Sequence, residues 1–216
     1  MTSAVSWMGQ SGGGAAFIAG LSPAAWYRYG MGMGIAQWDD QSGNARHQTQ
    51  ETATNQPTLD TDGSLLFDGV DNFMKSGAFT LNQPITYYML VKMVTWANSE
   101  FLLSGTAFRI VQTGASPQVG LFAGAAINTT DLAVGAWGVL TAVFNGASSA
   151  IRINLGAAVT GDAGANNPGM IVLASNSTGA GSWANVAYKE LVAFPAAHDT
   201  ATQNRIIRYE MQLGGL

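Results

Sequence analysis

At 216 residues, with 47% hydrophobic and only 10% charged side chains, the chain is long enough to bury one sizeable core and too apolar to be disordered. Nine Lys plus Arg against thirteen Asp plus Glu leave a net charge of −4, and the cations are scattered singly from Arg28 to Arg208. That spacing excludes the clustered basic face that nucleic acid requires. The absence of cysteine excludes disulfides, thiolate nucleophiles and Cys-ligated metals. No apolar run reaches the roughly 18 to 20 residues that span a bilayer, so no membrane partner is expected.

Residues 1–20 combine a glycine cluster at Gly12 to Gly14 with isolated Trp7, Met8, Phe17 and Ile18. The segment reads as a Gly-rich arm preceding one domain over 21–216, and those four apolar side chains are its candidate docking residues. No Arg or Lys precedes Arg28, so a Sec-type leader is not expected.

From Leu21 onward, short apolar stretches alternate with turn residues, which is how an antiparallel sandwich is written. Strands are predicted at Ser64 to Phe67, Phe73 to Met74, Ile85 to Trp96, Phe101 to Leu103 and Phe108 to Gln112. Further strands follow at Val119 to Phe122, Trp137 to Phe144, Ile151 to Leu155, Met170 to Leu173 and Asn185 to Phe194. Tyr87 to Val94 is almost continuously apolar, as suits a central strand covered on both faces or packed on a partner. Ile151, Ile153 and Leu155 alternate with Arg152 and Asn154, which predicts a half-buried strand, and Asn145-Gly146 predicts a tight hairpin before it. One helix is predicted at the end, with Thr200 as N-cap, Gln203 completing a capping box, Ile206, Ile207 and Met211 on one side, and Gly214-Gly215 as terminator.

Three ordered fragments carry a family resemblance. The run Gln37-Trp38-Asp39-Asp40-Gln41-Ser42-Gly43-Asn44-Ala45-Arg46-His47, then Gln56-Pro57, then Leu66-Phe67-Asp68-Gly69-Val70-Asp71-Asn72-Phe73 resembles the opening of laminin-G-like, concanavalin A-like jelly-roll domains. Trp137 to Phe144 with Asn145-Gly146 and Ile151-Arg152-Ile153-Asn154 is similar to the family's later hairpin, and Lys189 to Phe194 followed by the terminal helix resembles its close. The resemblance implies an all-β, two-sheet antiparallel jelly-roll sandwich with a short C-terminal helix. Asn72 stands where the family carries a second acid and Ala45 where it carries glycine, which counts against the cation site of some relatives.

The four glutamates, Glu51, Glu100, Glu190 and Glu210, have no second acid within three residues, so the paired carboxylates of a retaining glycosidase are not written locally and an enzyme is not expected. Asp39, Asp40, Asp68 and Asp71 are the only carboxylates clustered enough to suggest Ca²⁺; turn capping is the favoured role, and no cofactor is assigned. His47 and His198 read as turn or surface residues. Among Trp26, Tyr27, Tyr29, Trp96 and Trp183, the loop tryptophans Trp96 and Trp183 are the candidate sugar platforms.

A surface with so few ions is either neutral and polar or hidden against neighbouring subunits, and the second is favoured. Because the WDDxSGN style also resembles domains of tailed-bacteriophage virion proteins, the expectation is a capsid decoration or minor head protein. It would be made in the host cytoplasm, form a trimer or dimer, and dock on other virion proteins such as the major capsid protein. The alternative is a carbohydrate-binding module, or the receptor-binding part of a tail appendage, that meets a cell-surface glycan.

Overall fold

The computed structural model describes residues 13–129 and 132–216. Trp7 and Met8 lie outside the described residues. Helix α1 covers residues 13–20. The strands are β1 (Ala25–Tyr27), β2 (Gln37–Trp38), β3 (Gln48–Thr49), β4 (Thr58–Leu59), β5 (Leu65–Asp68), β6 (Met74–Lys75), β7 (Ile85–Met93), β8 (Phe101–Ser104), β9 (Arg109–Gln112), β10 (Val119–Phe122), β11 (Ala126–Thr129), β12 (Trp137–Phe144), β13 (Ser149–Ile153), β14 (Val159–Gly161), β15 (Val172–Leu173) and β16 (Asn185–Phe194). Helix α2 spans Thr200–Gly214.

They form a two-sheet antiparallel β-sandwich. The first sheet runs β14-β13-β12-β7-β16-β5-β4, with β1 also paired to β16; the second runs β11-β10-β9-β8-β15-β6-β3-β2. Between them lies the main core, where Tyr87, Leu140, Phe144 and Tyr188 of the first sheet meet Leu103, Ile110, Leu121 and Leu173 of the second. Strand β7 explains its own sequence. Tyr87, Met89, Val91 and Met93 face this core, while Tyr88 and Leu90 face a second cluster on the opposite side of the sheet. That second cluster is roofed by Ile18 of α1 and by Ile206, Ile207 and Tyr209 of α2.

Three sequence expectations change here. Residues 13–20 are helical, and Ile18 is fully buried against the first sheet, so this part of the arm belongs to the chain's own interior. Phe17 is capped by the Arg205 guanidinium at 3.7 Å. The N-cap of α2 is Asp199, whose carboxylate accepts from the Thr202 amide at 2.7 Å, and Gln203 donates to the His198 carbonyl at 2.8 Å. A carboxylate is the stronger acceptor for a helix N-terminus, so the cap sits one residue earlier than Thr200. Strand β13 stops at Ile153, because Asn154 adopts a φ of 50° and turns the chain, leaving Leu155 38% exposed. In the preceding hairpin only Gly146 takes a positive φ.

Two carboxyl groups are buried within the helix layer over the first sheet. Glu190 accepts from the Trp26 indole at 2.8 Å and from the Tyr29 amide at 3.3 Å. Burial nevertheless pushes it up to about 7 against these hydrogen bonds. Glu210 is fully buried with no hydrogen-bond partner for either oxygen among the described residues. Burial, reinforced by Glu190, raises it well above the carboxylate range. A raised folded-state pKa contributes stability below the unfolded value near 4.5 that is lost as pH rises toward the folded value. Stability in urea is therefore expected to fall between pH 5 and pH 7 by roughly 1 kcal/mol per pH unit for each of the two groups. Glu210→Gln should flatten that fall and raise the midpoint at pH 7; an unchanged pH profile would place the titration elsewhere. Ile18→Ala is expected to cost about 2–5 kcal/mol in the same assay, as for any buried aliphatic, whereas a side chain waiting for a neighbour would cost almost nothing.

Candidate functional site

Helix α2 packs on β7, β12 and β16, so the outer face of the first sheet is covered over these strands. The outer face of the second sheet is roofed by no described helix over β9, β10 and β11. On these strands Ile110, Leu121 and Ile127 enter the core. Their neighbours, Arg109, Val111, Gly120, Phe122, Ala126 and Asn128, therefore present to the other face. Register then builds two rows across the sheet. Arg109 is opposite Phe122, which is opposite Ala126; Val111 is opposite Gly120, which is opposite Asn128. Phe101 joins the second row through Val111.

All of these but Gly120, together with Leu121 and with Ser99, Thr113 and Ser182 at the rim, line a cavity of about 250 Å³. The Arg109 guanidinium carbon sits 3.7 Å from the Phe122 ring centre and 5.3 Å from that of Phe101. At 3.7 Å the planar cation lies flat on the ring, an arrangement favoured by the ring quadrupole. Gly120 forms the notch between Val111 and Asn128, because a Cβ there would run into the Asn128 amide oxygen.

The rim is fixed from below by Gln112. Its side chain is fully buried, accepts from the Ala97 amide at 3.0 Å, and donates to the Glu100 carboxylate at 3.3 Å. Its backbone exchanges bonds with Ser99 and Glu100 at 2.8 Å each. Burial raises the Glu100 carboxyl, opposed by a bond from the Asn185 amide. Ser182 accepts from the Phe101 amide at 2.8 Å and brings the following residue, Trp183, beside Phe101 in an isolated parallel bridge.

Trp96 and Trp183 thus belong to this end of the molecule, half-buried, with both indole N–H groups buried and unpartnered among the described residues. Neither lines the cavity, whose aromatic walls are Phe101 and Phe122. Trp26 and Tyr27 are interior residues, and Tyr29 donates its hydroxyl to the Asp62 carbonyl. His198 lies half-buried in the loop before α2, packs 4.6 Å from Phe194 and shares a 2.9 Å hydrogen bond with the Tyr88 hydroxyl.

The acidic candidates stand in turns. Asp40 accepts from the amides of Trp26, Ser42 and Arg46 at 2.9 Å each and from the Ser42 hydroxyl at 2.8 Å, which makes it the organiser of the 40–46 loop. Asp39 lies 3.4 Å from His47 and accepts from Gln37 at 2.7 Å. Asp68 accepts from the amides of Val70 and Asp71, and Asp71 from the Asn72 side chain. No three His, Asp or Glu side chains are gathered for a metal among the described residues.

A larger cavity of about 460 Å³ lies between the end of α1 and the 41–46 loop. Its polar lining is already engaged: Asn44 donates to the carbonyls of Pro23 and Ala24 at 3.2 and 3.1 Å, and Arg46 to Ala24 at 2.7 Å. Arg109 differs in holding no hydrogen bond or ion pair among the described residues, which makes the smaller cavity the better candidate.

Gly120→Ala is expected to lower stability by about 1–3 kcal/mol through overpacking against Asn128. Adding Asn128→Ala should recover most of it, since the two positions share one space. Purely additive effects in a double-mutant cycle would mean that the notch does not depend on Asn128.

No protein-family model matches the sequence, and no curated protein matches it. Solved structures do share the fold. Trypanosoma rangeli sialidase in complex with sialic acid superposes with a TM-score of 0.65 at 8% identity, over 96% of this chain and 38% of that one. An arabinofuranosidase complexed with arabinofuranosyl-α-1,2-xylobiose gives 0.59 at 16% identity, over 83% and 51%. A receptor binding domain gives 0.60 at 10% identity, over 90% and 53%. The chain thus spans from about two fifths to about half of these structures' lengths.

These likenesses correct the expectation of a virion building protein. The matched folds are a sialidase and an arabinofuranosidase, each holding a saccharide, and a receptor binding domain. Of the apolar segment that suggested lattice docking, the described part, residues 13–20, packs through Ile18 into the chain's own interior. What the chain shares with these structures is the two-sheet antiparallel β-sandwich.

Proposed function

We propose that the chain is a non-catalytic carbohydrate-binding module whose binding face is the outer surface of the second sheet over β8 to β11. The observation that carries this is the cavity walled by Phe101 and Phe122, with Arg109 between them and the polar side chains of Ser99, Thr113, Asn128 and Ser182 around it. A saccharide offers an apolar ring face and a rim of hydroxyls, and binding sites answer with an apolar wall and a few convergent polar groups. Sugar-acting enzymes among the structures that share the fold support the substrate class, and the fold alone does not carry their chemistry.

The non-catalytic part rests on where the carboxylates are. Hydrolysis by most glycosidases uses two carboxyl groups flanking an accessible bond, and sialidases use a tyrosine nucleophile. The mutually interacting pair of Glu190 on β16 and Glu210 on α2 is fully buried within the helix layer over the first sheet, and the cavity lining contains no acid and no tyrosine.

The test is a broad glycan array followed by calorimetry on the hits. Phe122→Ala is expected to weaken binding at least tenfold, as loss of a stacking wall does, with an unchanged circular dichroism spectrum, and bound oligosaccharides should be recovered uncleaved. Silence across the array, or binding indifferent to Phe122, would remove this function from this face.

A further inference from the structure

Arg109 differs from the other arginines that are withdrawn from solvent: Arg28 has a buried Nε without a partner but keeps a side-chain hydrogen bond with Tyr209. Arg46 donates to the Ala24 carbonyl, and Arg152 donates to the Asn204 side chain at 2.6 Å and to the Asn154 carbonyl at 3.3 Å. The Arg109 guanidinium is half-buried, and no acceptor among the described residues meets it. The nearest candidate counter-ion in the sequence of the rim, Glu100, is engaged by Gln112 and by the Asn185 amide, and forms no ion pair with Arg109 within 4 Å. A cation partly withdrawn from water and without a protein partner gains from an anion that enters the cavity. Consistent with this, burial lowers the Arg109 pKa from its ordinary value, with no carboxylate opposing it.

The geometry narrows the anion further. Phe122 covers one face of the guanidinium at 3.7 Å and Phe101 stands at its other flank at 5.3 Å, so a ligand meets the cation along its edge. The edge of a guanidinium presents two parallel N–H groups in one plane, which match the two oxygens of a planar carboxylate. The rest of the lining, Asn128, Ser99, Ser182 and Thr113, is neutral and suited to hydroxyls.

We propose that the saccharide bound at this face is an acidic one, whose ring carboxylate is held bidentately by Arg109 between Phe101 and Phe122. This deepens the carbohydrate-binding reading and rests on it. The shared chemistry is a carboxylate-bearing sugar; uronic acids and sialic acids are its two sources.

Calorimetry on the full chain separates them, using oligogalacturonate and sialyllactose as probes beside lactose, methyl-esterified oligogalacturonate and a sulfated heparin oligosaccharide. One of the two carboxylated probes is expected to bind, and its affinity should fall as salt rises. Arg109→Gln is expected to weaken it at least tenfold, and Arg109→Lys nearly as much, because an ammonium keeps the charge and loses the planar fork. On the wild-type protein the methyl ester should bind at least tenfold more weakly than the acid, a comparison that needs no variant to fold. Equal affinity for acid and ester, equal affinity in wild type and Arg109→Gln, or preference for the sulfated probe overturns the proposal. If lactose or another neutral sugar binds and depends on Phe122, the carbohydrate-binding module stands and only the acidic ligand falls. If none of the probes binds and the glycan array is silent, both fall.

Discussion

The structure turns on one constraint: β7 carries nine residues, Ile85–Met93, with almost no polar break, and both of its faces must therefore be covered. One face is satisfied by the second sheet. The other needs a roof, and α1 and α2 supply it through Ile18, Ile206, Ile207 and Tyr209. The cost of that roof is the burial of Glu190 and Glu210, which ties the stability of the helix layer to pH. Its consequence for function is an asymmetry. The first sheet is covered on both sides over β7, β12 and β16, and the second keeps an outer face open over β9 to β11.

The sparse charge of the chain is used within the same frame. Arg28, Arg46, Lys92, Arg109, Lys189 and Arg205 each lie over an aromatic ring, at distances from 3.7 to 5.4 Å. Most of these cations are thereby placed as covers for Trp, Tyr and Phe instead of as isolated surface ions, and that gives the low charge fraction an intramolecular role. Arg109 follows the same habit in a setting that opens onto solvent.

Much of the sandwich was legible in the sequence. Val119–Phe122, Trp137–Phe144 and Asn185–Phe194 coincide with their predicted bounds, because long or well-punctuated apolar runs state their own period. Strands β1 to β4, β11 and β14 were not read. They are two to four residues long, and β4, β11 and β14 carry mostly exposed or polar residues, so tertiary pairing and not propensity makes them strands. The site was less legible. Trp96 and Trp183 lie at the correct end, yet the cavity walls are Phe101 and Phe122, which come together with Arg109 only through the registers of β8, β9 and β10. The available signal was an arginine and a phenylalanine at outward positions of adjacent strands, and single-strand periodicity does not pair strands. The acidic motifs around Asp40 and Asp68 were visible by spacing, and their oxygens are occupied by the turns they organise.

The central claim is that the open face of the second sheet is where ligand binds. The most direct measurement is an amide-resolved map, by NMR shift perturbation, of the chain titrated with an array-selected glycan. Binding at this face predicts perturbations concentrated at 99–101, 109–113, 119–122 and 126–128, with the 41–46 loop and α2 unchanged. Perturbations centred on the 41–46 loop, or spread over the α1 and α2 layer, would contradict it.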